Sequence, residues 1–171
     1  MKLYHGTARA FQAIDLGVCE LGLHLAADPL LAVGRLAETA KRHEFLPAGS
    51  RVLEVEAEFD HVLALKGDAH NWSEVRDVLP LLPPALAAGC KAATGPELRA
   101  HLLEHGYDAI RYENDCEEAV ECDPRAAGRL FGARNESQRC WVALDASKLV
   151  LGREFAQAEL ESHLDGGGPE L

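Results

Sequence analysis

Three chemically capable residues close the first apolar run of the chain. Leu3 and Tyr4 lead directly into His5, Gly6 and Thr7. A neutral imidazole offers one hydrogen-bond donor and one acceptor, and the threonine hydroxyl adds both. The glycine between them lacks a Cβ, so a backbone or a ring from another molecule can approach closely. The stretch from Gly22 to Pro29 repeats this logic, with His24 between Leu23 and Leu25 and a helix start at Asp28-Pro29. Each stretch alone also suits a strand end with a structural histidine and a turn.

Other groups are less pointed. Glu113, Asp115, Glu117, Glu118, Glu121 and Asp123 form an acidic run whose plain reading is a solvated loop. It lacks the glycine and terminal glutamate of a calcium loop. Arg125, Arg129, Arg134 and Arg139 suit either a polar loop or a target-recognition segment with paired guanidinium donors. Five cysteines, at positions 19, 90, 116, 122 and 140, make no CxxC pair, so neither a disulfide framework nor a zinc site is expected. Trp72 and Trp141 sit in apolar periodic segments and read as core.

These residues need elements to hold them. Residues 2–5 and 21–26 read as strands, joined by a loop over 8–20 with a turn at Gly17. Asp28 is an N-cap acceptor before Pro29, and apolar positions recur at helical spacing to about His43. In 51–59, Leu53, Val55, Ala57 and Phe59 alternate with Glu54, Glu56 and Glu58, which predicts a strand with one wet face. Val62 to Leu65 continues as a short strand. Asn71 with Glu74, and Thr94 with Glu97, fit capping boxes for helices ending near Leu79 and His105. Strands are expected at 107–112, 140–144 and 149–151, with a helix near 153–163 and a tail at 165–171. Helices do not follow strands regularly, so the fold class is α+β, in one domain over 1–164.

Composition narrows the function. The 171 residues can bury one sizeable core, and 47% hydrophobic content argues against disorder. Twenty-eight acidic against seventeen basic residues give a charge of −11, a poor footprint for nucleic acid. No transmembrane run or secretory leader is read, so a cytoplasmic location without membrane contact is expected.

Four segments in order resemble the ADP-ribosyltransferase superfamily. They are Leu3 to Thr7; Gly22 to Ala26 with the helix after it; Gly106 to Asn114, similar to the GYDGI-x-Y-x-N strand of bacterial and phage members; and Cys140 to Leu149, similar to the family's closing strand. The resemblance spans most of the chain through short, degenerate motifs. It implies split antiparallel or mixed sheets flanked by helices, with NAD as substrate in the cleft. It implies that His5 positions the nicotinamide ribose and that Gly6 grips the carboxamide, with Thr7 and Gly22 beside them. It sets His24 at the place of the family's stacking aromatic. The family glutamate, which steadies an oxocarbenium-like transition state, would fall at or just before Cys140, where this chain has Gln138 and Arg139. Glu113, Asp115, Glu136 and Gln138 are the candidates for its role. The implied activity is transfer of ADP-ribose from NAD to a protein acceptor with nicotinamide release, as a toxin or effector. The alternatives are NAD hydrolysis, or a degenerate binding module. RNA 2′-phosphate transfer shares the fold but expects more basic residues.

Overall fold

The computed structural model describes residues 1–9, 13–39, 46, 48–114, 130–132 and 137–164. Their centre is one seven-stranded mixed sheet. The strands are β1 (Lys2–Thr7), β2 (Leu23–Ala26), β3 (Arg51–Ala57), β4 (Val62–Ala64), β5 (Ala109–Glu113), β6 (Arg139–Ala143) and β7 (Leu149–Ala156), in the order β4-β5-β6-β2-β1-β3-β7. The helices are α1 (Pro29–Thr39), α2 (Val75–Val78), α3 (Pro84–Gly89), α4 (Gly95–Glu104) and α5 (Gln157–Leu164).

Every neighbouring pair of strands is antiparallel except β4 and β5. That parallel pair needs a long return path, and α2, α3 and α4 supply it. The α+β class stands. The expected division into separate half-sheets does not, because β1 and β2 still pair and make the sheet continuous. Their seam is nevertheless narrow. Its register holds one pair, Tyr4 opposite Ala26, against six between β1 and β3 and four between β2 and β6.

The two faces are covered differently. The larger core includes Leu30, Val33 and Leu36 of α1, Val78 of α2, Leu86 of α3, Leu98 and Leu102 of α4, and Leu160 of α5. These five helices therefore pack, among the described residues, on one face. The smaller core, around Leu3, Leu23, Leu25, Leu53, Val55 and Trp141, is closed by Leu16, Ile14, Cys19 and Phe59 from connecting segments. Strand alternation produces this split: Leu53, Val55 and Ala57 face the smaller core, whereas Val52 faces the helices.

Helix α1 crosses the seam, touching β1, β2 and β3. Asp28 starts it: the carboxylate accepts from the Leu30 N–H at 3.0 Å, and the carbonyl takes the first helical bonds. At Gly6 the helix comes so close that an added Cβ would stand 2.1 Å from the Ala32 carbonyl oxygen.

Local signals were met unevenly. Thr94 and Glu97 form a reciprocal capping box at α4, and Gly106 ends that helix at φ +85°. The box expected at Asn71 and Glu74 does not form. The Asn71 amide oxygen accepts from Ser73 instead, and α2 begins only at Val75. The turn at Gly17 is a short 3₁₀ segment capped by Asp15. Residues 153–156, expected as helix, belong to β7. Phe155 is 1% exposed, packs 4.8 Å from the Phe131 ring, and pairs across to Val52, so burial outweighs the helical spacing.

Two stability outcomes follow. Gly6→Ala should lower the unfolding free energy by ~1–3 kcal/mol through forced displacement of α1. Thr94→Ala should cost ~1 kcal/mol by opening the capping box. Urea unfolding of each variant beside the native chain measures both, and a Gly6→Ala midpoint equal to the native one would contradict this packing.

Candidate functional site at the β1–β2 seam

The strand pair that holds the sheet together also gathers its most perturbed side chains. Just past Tyr4 and Ala26, His5 Nδ1 lies 2.8 Å from the His24 carbonyl oxygen. A carbonyl only accepts, so His5 Nδ1 carries the proton and donates it. Nε2 of the neutral ring is then an acceptor. Burial depresses the His5 pKa to about 4, with the Arg35 charge adding to the effect and the bond to His24 opposing it.

His24 itself faces the helix side. Burial first, then the Arg35 charge and the neighbouring His5, hold its pKa well below the ordinary histidine range. Its ring lies 5.9 Å from that of Trp72 and 6.5 Å from that of Tyr112, both edge-on. Trp72 and Tyr112 pack against each other at 4.3 Å. Trp72 Nε1–H donates to Asp68 Oδ1 at 2.8 Å. Tyr112 is 1% exposed, and its hydroxyl accepts from Arg35 Nη2 at 3.2 Å while standing 3.4 Å from His24 Nδ1. Burial pushes the Tyr112 phenol far up, so it stays protonated. The seam thus combines two neutral imidazoles, a protonated phenol, an indole and one permanent cation.

Such a set recognises by hydrogen bonding and aromatic contact. It offers no group of three metal-ligating side chains, and no such group exists among the described residues. A surface cavity of about 550 Å³ beside Glu58, Asp60 and Lys148, and another of about 540 Å³ beside Glu74, Arg76 and Thr94, are lined by none of the seam residues.

The sequence candidates divide. His5 and His24 come together at the seam. Gly6 is consumed by α1, and Gly22 by β6, since a Cβ at Gly22 would stand 2.2 Å from the Ala143 carbonyl oxygen. Thr7 Oγ1 accepts from the Arg9 N–H at 3.1 Å and shapes the turn that leaves β1. Glu113 ends β5, exposed, with its carboxylate 3.3 Å from Arg139 Nε. Two strands, β6 and β2, separate β5 from β1, three spacings or about 14 Å. Gln138 is exposed before β6, and its carbonyl accepts from the Asn114 N–H at 2.8 Å. Asp115 and Glu136 lie outside the described residues.

Arg35 and Tyr112 were not among the candidates, and Trp72 was read only as core. Trp72 is indeed 8% exposed, yet it also walls His24. One signal was available for Arg35: it is the single charge inside the apolar run from Leu30 to Leu36. Tyr112 carried only its place in the Gly106–Asn114 motif. Comparison of the chain with protein-family models, with curated proteins and with solved structures finds no match.

The two histidines bind protons less readily folded than unfolded. Their contribution to stability is therefore full above the ordinary histidine pKa of 6.5 and is lost as pH falls, for His5 through about 4. The expected slope is ~1.4 kcal/mol per pH unit for each histidine within that window. Urea unfolding between pH 7 and 4 should show a shallower pH dependence for His5→Gln than for the native chain; equal slopes would contradict the buried neutral ring.

Proposed function

We propose that the chain is an NAD-dependent ADP-ribosyltransferase, with the ADP-ribosyltransferase-like fold, that moves ADP-ribose from NAD to a protein acceptor. One observation carries this reading. The strand that bears His5-Gly6-Thr7, the strand that bears His24 and the Gly106–Asn114 motif strand contribute side chains to one cluster. Three of the four segments behind the family resemblance thereby meet at a single place. The order of the strands leaves that place at the narrowest pairing of the sheet, between halves β4-β5-β6-β2 and β1-β3-β7.

The residue chemistry suits the substrate. His5 Nε2 accepts a hydrogen bond, as a ribose hydroxyl requires. Trp72 and Tyr112, packed on each other, meet the His24 ring edge-on and hold it at the position where the resemblance places the ring that stacks on nicotinamide. Neutral imidazoles add no charge against a cationic pyridinium. In the reaction the N-glycosidic bond breaks, nicotinamide leaves with the bonding pair, and the acceptor nucleophile bonds C1′ and loses its proton. A carboxylate from Glu113, Asp115 or Glu136, or the Gln138 amide, would orient the ribose.

A second reading has its own support. Glu113 is ion-paired with Arg139 and stands across two strands from His5. That favours a fold that binds NAD without efficient transfer, or one that only hydrolyses it.

The test is incubation of the pure protein with NAD, in buffer and in cell lysate, beside His5→Ala. Nicotinamide release and labelled ADP-ribose incorporation are measured together. Incorporation in lysate should fall about tenfold or more in His5→Ala, the cost of one lost hydrogen bond in the transition state. Release in buffer at the same rate as in lysate, without incorporation, would replace transfer by hydrolysis. NAD binding without release would leave the binding module, and absence of binding would end the NAD reading.

A further inference from the structure

We propose that Arg35 and Tyr112 are positioning residues that hold His24 as its Nε2–H tautomer, so that the seam offers a donor at His24 and an acceptor at His5. The ligand role of this pair rests on the NAD reading; the tautomer itself does not.

Arg35 has donors and no acceptor, and its Nη2 sits 3.2 Å from the Tyr112 oxygen. That oxygen therefore accepts from Arg35 and still carries its own proton. Among the described residues, the other polar atom on it is His24 Nδ1, at 3.4 Å. The phenolic proton is directed there, and Nδ1 must receive it with a lone pair. In a neutral imidazole the remaining proton then lies on Nε2. The packing supports a fixed arrangement, because the Tyr112 ring is clamped on Trp72 at 4.3 Å and Trp72 is tied to Asp68. No buried side-chain polar atom among the described residues lacks a hydrogen-bond partner.

The main chain completes the arrangement. The His24 carbonyl receives the His5 Nδ1–H, which fixes His5 in the opposite tautomer, with its proton on Nδ1 and a lone pair on Nε2. His24 thus links the proton positions of the two rings. Its backbone directs His5, and its side chain is directed by Arg35 through Tyr112. A donor and an acceptor set in this way are complementary to an uncharged group that carries both functions, such as a hydroxyl or a primary carboxamide.

The experiment is long-range ¹H–¹⁵N NMR of the histidine rings in the full chain at pH 7.5, without NAD, with His24 assigned by His24→Gln. The native chain should have His24 protonated on Nε2 and His5 on Nδ1. Tyr112→Phe keeps the ring on Trp72 and removes only the hydroxyl, so His24 should become a tautomer mixture. Arg35→Met should loosen it in the same way, and Arg35→Lys should restore most of the Nε2–H form. A native His24 protonated on Nδ1 would overturn the proposal, as would an unchanged Nε2–H form in Tyr112→Phe. The native spectrum alone decides if a variant fails to fold. Adding NAD to the same sample tests the functional reading separately. Unmoved ring signals would reject NAD while leaving the positioning intact. Where turnover is present, Tyr112→Phe should raise KM for NAD about tenfold with a smaller change in kcat, as expected for a lost directional hydrogen bond.

Discussion

The seam of this protein depends on how closely one helix lies on one strand. A Cβ on Gly6 would sit 2.1 Å from the Ala32 carbonyl oxygen, so α1 rests on bare backbone. Three residues after Ala32, on the same face of the helix, comes Arg35. The close approach brings its guanidinium within reach of the Tyr112 hydroxyl, across β2 and β6 from the strand on which the helix rests. A helix held farther out would leave that cation short of its partner and His24 without its directed phenol.

The electrostatic character of the seam follows from that placement. Arg35 keeps its charge at any working pH. Histidines beside a cation, and partly withdrawn from water, lose much of the free-energy gain of protonation. His5 and His24 are therefore neutral for two reasons that act in the same direction. A neutral imidazole discriminates by hydrogen-bond direction and not by net charge. That suits a site whose work is to orient a ligand, and it makes the partners of each ring nitrogen decisive.

Away from the seam, ordinary local devices hold the frame. Asp28, Thr94 and Asp145 satisfy the first amides of their helices or 3₁₀ turns. Asp108, 7% exposed, receives the Asp60 N–H at 2.6 Å and the His61 N–H at 3.2 Å, locking the loop before β4 against β5. Among the described residues no helix is long and apolar enough to cross a membrane. The helices instead spend their apolar faces on one side of the sheet.

Much of this was legible in the chain, because it depends on near neighbours. Alternation of Leu53, Val55 and Ala57 with glutamates specifies a strand, and Asp28-Pro29 and Thr94 with Glu97 specify helix starts, since the interacting groups lie within four residues of each other. His5 and His24 stood out by type and position for the same reason. Other features needed distant partners. Phe155 is in a strand and not a helix because Phe131 and Val52 bury it. Asn71 is a local exception, since Ser73, two residues on, takes its amide oxygen in place of the expected cap. Glu113 meets Arg139, 26 residues away, and not His5, because β6 and β2 lie between. The contact of Arg35 with Tyr112 joins residues 77 apart. No periodicity encodes such a pair: near-neighbour patterns specify most of the elements and the polar residues on them, whereas the packing of α1 onto Gly6 selects which of those residues share a site.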